Sequence, residues 1–492
     1  MDRKDCEMKR TIALFSASVL TAVFAAEVSF PLDSGDISLE GNWNGTFPGT
    51  SDCAVLQYAG PYEISRNVEF GSIVSLSGSL RIKAGENVWI TANNSSGKEG
   101  VVIKANKIEN ALIEGGIYYM RNNANFMPVY GRHLGVAESG ATAMLKAVTV
   151  TNAYEFSATK RISDAVVTVT GNSRIYARFG KVSHRDQNAG SRNTLRIEGA
   201  SRLHVIDHFY FESKKDDVDG TGMGGSVLEV AGRDTLADVG QSLIMGQYGA
   251  SGRVDVADCA TLQVGSSFLI GGADTQNSGL GGHSVVFSNS ATGRLNTVYL
   301  GMRPGGGGNV FAVASNSHVT VHTMTVGNQD SGNVLVVDNA VLDVTSQLHI
   351  GSGKNAAGTD NTVILRGRNP QICNRNGSSQ WVYANNRSKF RFEVPEEGFA
   401  DIPIKGSHFG WNGDVVLEVE CKKFRKAGGG DIVLAEAGAD TWVDQNTDGN
   451  LAKCIVELNK KQPEGCSFEI KGKQVIYHAS YLPPVGMRFI VR

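Results

Sequence analysis

The chain has 492 residues, with 47 Lys plus Arg against 49 Asp plus Glu and a formal net charge of −2. That balance excludes the basic groove of a nucleic-acid-binding protein. At 41% hydrophobic and 20% charged the chain is neither a disordered tail nor membrane-embedded, and it is long enough to bury a large core. Its 59 glycines beside 11 prolines call for many tight turns, and without a Gly-X-Y period they exclude collagen.

Thr11 to Ala26 is uncharged, preceded by Lys9-Arg10 and followed by Glu27. A basic start, a short apolar stretch and small residues at the exit are the pattern of a secretory signal peptide. The stretch is shorter than the roughly 20 residues of a membrane span. Cleavage after Ala25 places Val23 and Ala25 at the small-residue positions, and the acidic run before Met8 suggests translation from Met8. Removal of residues 1–25 leaves 43 basic and 46 acidic residues. The expected location is therefore secreted or at the cell surface. Six of seven cysteines remain, compatible with one or two bridges. Cys454 and Cys466 flank a Pro-Glu-Gly turn and are the first candidate pair, whereas Cys259, within VADCATLQV, reads as a buried, inert strand thiol.

Residues 26–164 contain strand-like runs after a Gly-Asn-Trp-Asn-Gly start and are expected to form an N-terminal cap and the first coils. From 165 to 367 the chain repeats. Aligned blocks begin at 165, 193, 226, 253, 283, 309 and 333, at offsets of 24 to 33 residues. Each holds three short runs alternating apolar and small polar residues, the period of strands with one buried face. Three strands per turn of this length give a β-solenoid; a propeller blade needs roughly 40 to 45 residues.

The third run ends in an apolar residue and Gly at Gly180, Gly246, Gly271, Gly301, Gly327 and Gly351, suggesting a corner that needs positive φ or close approach. Between the first and second runs stand Asn172, Asn289, Asn316 and Asn339, which tolerate the left-handed conformation and can stack as amide ladders. The histidines of the repeat, His283 among them, are expected mostly on outer strand faces. Residues 368–492 should supply terminal coils and an α+β cap. There Asp431 to Ala435 reads as a strand, Leu451, Cys454, Ile455 and Leu458 as one helix face, and FEIKGKQVIYH as a hairpin turning at Gly472. Asn412-Gly413 reads as a second hairpin turn.

The Gly-ended strands with TLRIEG, VLEVAG and VLDVTS resemble autotransporter-type passenger domains and pectin-lyase-like β-helix repeat proteins of the secreted bacterial surface type. The resemblance implies an all-β, right-handed parallel β-helix, to which the residues after 367 add the small C-terminal α+β module. The 125 residues after 367 leave no room for a translocator barrel.

Asp444, Asn446 and Asp448, followed by Gly449 and a helix, carry oxygens at positions 1, 3 and 5 of a calcium loop. Position 12 is Ile455 rather than a bidentate acid, so the alternative is an Asx turn capping the helix without metal. No other cofactor is implied. His184, Arg185 and Asp186 in one loop, and Lys214, Lys215, Asp216, Asp217 and Asp219 in the next, are the charged interruptions of the repeat. Basic groups beside carboxylates suit a uronate-processing lyase, and a solvated loop edge is the alternative. The expected function is a structural or adhesin-like surface solenoid binding polysaccharide or matrix, with a polysaccharide lyase or glycoside hydrolase on the same fold as the alternative.

Overall fold

Alternation of apolar with polar or small residues lets each short run bury one face, and stacking of successive runs in register closes the backbone hydrogen bonds between coils. The computed structural model describes residues 26–50, 52–75, 79–93, 101–105, 110–122, 124–131, 138–160, 162–183, 192–211, 224–247, 250–273, 279–351, 358–374, 381–385, 387–411, 415–438 and 451–482. It is a β-solenoid of about 12 turns, 56% strand and 4% helix. The first runs of the coils form one 15-stranded parallel sheet and the second and third runs a 25-stranded sheet. The repeat therefore has three runs but only two hydrogen-bonded sheets. In Thr261–Ile270, Thr292–Leu300, His318–Val326 and Val341–Ile350 the second and third runs are continuous across an irregularity in the ladder.

The core is a column of inward side chains, such as Val285, Phe311, Leu335 and Val363 from first runs and Phe268, Val298, Met324 and Leu348 from third runs, all fully buried. At its N-terminal end Trp43 is buried and meets the rings of Phe30, Phe47 and Phe70, and its indole N–H donates to the Ile37 carbonyl. The Gly-Asn-Trp-Asn-Gly segment thus plugs the stack, as a solenoid end requires. At the other end the strand Gly430–Ala437 pairs parallel with Ile404–Gly406 and antiparallel with Gln474–Ala479, which also pairs with Ser467–Lys471. The helices α1 (Lys422–Lys426) and α2 (Leu451–Asn459) complete this α+β cap. Gly472 has φ +57° in the hairpin turn.

The corner residues follow their expected roles. Gly246, Gly271, Gly301, Gly327 and Gly351 have positive φ. Gly180 stays extended inside the strand Arg174–Ser183, where close approach decides: a Cβ there would lie 2.4 Å from the Phe209 ring. Asn172, Asn289, Asn316 and Asn339 are left-handed. Among them the ladder is realised between Asn339 and Asn316, 3.1 Å apart, while Asn289 donates to Asp258 instead.

Three expectations are corrected, and His283 is the buried exception to a fourth. Cys259 is exposed and lies in a turn, because Asp258 and Cys259 supply the two left-handed residues that Asn289-Ser290 and Ser315-Asn316 supply in later coils. Cys466 carries a free thiol rather than a bridge, 3.8 Å from the Ser480 hydroxyl. His283 is buried rather than on an outer face. The strands flanking Asn412-Gly413 do not form a hairpin: His408–Trp411 pairs parallel with Trp381–Ala384, and Val416–Glu420 pairs parallel with Lys389–Glu393.

Candidate functional site

The outer face of the second runs in the coils that start at 165 and 193 differs from the rest of the solenoid. Both coils carry Ser-Arg at the start of this run. Ser173 and Ser201 are buried, where the Ser173 hydroxyl donates to the Thr170 carbonyl and the Ser201 hydroxyl accepts the Ser173 N–H. Period-2 alternation then turns Arg174 and Arg202 outward, and parallel register places them directly beside each other. The next outward pair is Tyr176 and His204, with ring centroids 5.9 Å apart. His204 Nδ1 lies 2.7 Å from Asp238 in the following coil. Arg178 stands over the Tyr154 and Phe179 rings at 5.8 and 5.2 Å and bonds Asp207 at 2.8 Å, and that carboxylate raises the guanidinium above its ordinary pKa. Tyr154 and Tyr176 are 36% and 39% exposed.

Many stacked bases of neighbouring coils meet acids: Arg196 with Glu229, Arg192 with Asp164, Arg366 with Asp338, Arg387 with Asp360 and Lys389 with Glu418. Arg294 instead stands alone, among the described residues, between Gln263 and Thr320. Lys181, beside the face, is consumed by a largely buried bond to Glu155 at 2.5 Å. Among the described residues, neither Arg174 nor Arg202 has an acidic partner. Like charges directly opposite in a ladder repel, so this pair concentrates positive charge, with Tyr176 two residues further along the same face and Tyr154 beyond it in the preceding coil.

His184, Arg185, Asp186, Lys214, Lys215, Asp216, Asp217 and Asp219 lie outside the described residues, as do Asp444, Asn446 and Asp448. The strands leading into the two charged loops are neighbours, with Gly180 opposite Phe209 and Lys181 opposite Tyr210. α2 begins directly after Asn450. Among the described residues no group of three or more His, Cys, Asp or Glu is arranged to hold a metal ion, and no helix is long and apolar enough to cross a membrane.

Tyr210 and Tyr299 pack against Ile244, Leu269, Ala273 and Met302, a satellite apolar cluster on the outside of the same sheet. On the arginine face the exposed rings are Tyr154 and Tyr176; Tyr58, Trp89 and Tyr481 are exposed elsewhere. The signal of this face in the sequence is the aligned pair SRIYARF and SRLHVID, the two blocks in which Arg opens the outward line of the second run and an aromatic ring or His follows it, where later blocks open on Leu236, Thr261, Thr292, His318 and Val341.

The described residues thus form a parallel β-solenoid repeat with a basic and aromatic patch on the outer face of its 25-stranded sheet. Comparison with family models, curated proteins and solved structures finds no match to this chain.

Proposed function

We propose that the protein is an exported, surface-exposed β-solenoid of the passenger-like type that holds acidic polysaccharide without processing it. The observation that carries this reading is the register pair Arg174 and Arg202, two outward guanidiniums without acids, followed along the same face by Tyr176 and Tyr154. Guanidinium forks match carboxylates, and exposed aromatic rings pack against the apolar faces of sugars. The rise of about 4.8 Å per coil spreads these groups along the solenoid, as an extended ligand requires.

A second reading is favoured by one feature. His204, oriented by Asp238 at 2.7 Å and beside Tyr176, gives a base next to arginines able to neutralise a uronate, which is the set a lyase uses.

The test is retention of the full chain on immobilised polygalacturonate and on a neutral glucan, with unsaturated-product absorbance read in parallel. Retention on the acidic polymer that weakens with salt, and falls about tenfold or more in Arg174→Glu with Arg202→Glu, is the expected result. Equal retention by this double variant sinks the binding reading. Product formation abolished by His204→Ala would replace it with the lyase.

A further inference from the structure

A sheet face open to water should alternate apolar and polar residues, whereas strands covered on both sides read as continuous apolar runs. The 15-stranded sheet obeys the first rule at both ends of the repeat. Arg196, Glu229 and Asp255 face outward in early coils, and Lys389, Arg391 and Glu418 in late ones, opposite buried Leu195, Leu228, Val254, Phe390 and Leu417. Between them the rule changes. The strands Val310–Ala314 and Val334–Asp338 read VFAVA and VLVVD. Their inward residues Phe311, Val313, Leu335 and Val337 are fully buried. Val286, Val310, Ala312, Val334, Val336 and Ile364 then fall on the outer face, contiguous in register and half-buried.

We infer that this face docks a second copy of the chain, the two solenoids lying antiparallel about a two-fold axis along the strand Val310–Ala314. The charged rims select the arrangement. With the axis on that strand, Val286 of one copy faces the Val336 coil of the other. The Glu229 coil then faces the Lys389 and Arg391 coil, and the Arg196 coil faces the Glu418 coil. Along the central outward line of the sheet, opposite charges therefore meet at both ends, Arg196 facing Glu418 and Glu229 facing Arg391. An axis half a coil away would set Glu229 against Glu418, and a parallel arrangement would set every charge against itself. Nine strands spaced about 4.8 Å apart and roughly 17 Å long give each copy about 650 Å², near the roughly 800 Å² per partner of a standard interface. Apolar surface at the centre with a charged rim is the composition such interfaces have.

This surface lies on a different sheet from Arg174 and Arg202, so its failure and that of the glycan reading are separate. The test is sedimentation of the full chain between about 1 and about 100 µM. A dimer is expected, with Val336→Lys weakening association about tenfold or more while circular dichroism and the melting temperature stay close to those of the parent. Glu229→Lys should weaken it as well, and Arg391→Glu, at the register position that faces Glu229, should restore association when added to Glu229→Lys. Three results overturn the proposal: a monomer throughout, which would leave the face to another partner; a dimer indifferent to Val336→Lys; or a Glu229→Lys defect that Arg391→Glu fails to rescue.

Discussion

His283 occupies a position that Asn or Ser fills in most coils, the residue just before the first run, where Asn193, Ser226, Asn309, Asn333, Asn361 and Ser388 are all fully buried. Its Nδ1 accepts the Gly252 N–H at 2.9 Å and its Nε2–H donates to the Leu280 carbonyl at 2.7 Å. Both nitrogens are satisfied only in the neutral ring, and burial pushes the pKa down to about 4. The unfolded chain, with an ordinary imidazole near 6.5, then binds more protons than the native state between these values. Stability is therefore complete above pH 6.5 and falls as pH drops toward 4, by about 3 kcal/mol in all. Denaturant titration of the parent and of His283→Asn between pH 7 and pH 4 checks this. The variant keeps an amide in a column of amides and should lose that component of the acid sensitivity; an unchanged pH slope would contradict the assignment.

The amide column is an element built from single residues. Asn361 Oδ1 accepts the Asn333 N–H and Nδ2, and Asn333 Oδ1 accepts those of Asn309, whose own Oδ1 accepts the His283 N–H. Each carboxamide thus closes the corner of its own coil and ties it to the previous one. Asn333→Leu removes a buried acceptor and strands the Asn309 donors, at a cost of about 2–4 kcal/mol. Asn333→Ser should recover part of this, since Ser226 and Ser388 occupy the same position. Chemical denaturation of the two variants measures the difference, and equal losses would mean that the cost is packing rather than hydrogen bonding.

This column was visible in the sequence as the first letter of the blocks NTLRIEG, NVFAVA and NVLVVD, yet polarity alone suggests a loop there. Burial comes only from the coils above and below, which no single repeat contains. The strands themselves were legible because alternation is a local property. The fusion of second and third runs was hidden by Val264-Gly265-Ser266, which reads as a break. Gly265 is required there by contact with the preceding coil: a Cβ would lie 2.3 Å from the Gly240 carbonyl oxygen. Cys259 was misplaced because an apolar sulfur in VADCATLQV mimics strand alternation while its backbone, at φ +65°, makes the corner. The uncompensated Arg174 and Arg202 become evident only when register shows which acids fail to reach them.

At the scale of the molecule each coil touches only its neighbours, so stability is a sum of coil and interface terms. Register makes this testable, since Val310 sits on Ser284 and Val334 on Val310, and His318 on Thr292 and Val341 on His318. Deletion of residues 309–332 removes one whole coil and brings Asn333 after Gly308. Asn333 Oδ1 can then take the His283 N–H that Asn309 Oδ1 accepted, and Val334 can pair with Ser284. Every inward side chain keeps its face. The shortened chain should fold, retain the β-type circular dichroism of the parent and melt cooperatively within about 10 °C of it. Deletion of 309–320 instead removes the first run and the start of the second, leaving a gap in the 15-stranded sheet that no neighbouring strand can fill. That variant should lose the cooperative melt. If both deletions melt alike, coil register is not what holds the stack together, and the nearest-neighbour account of this solenoid fails.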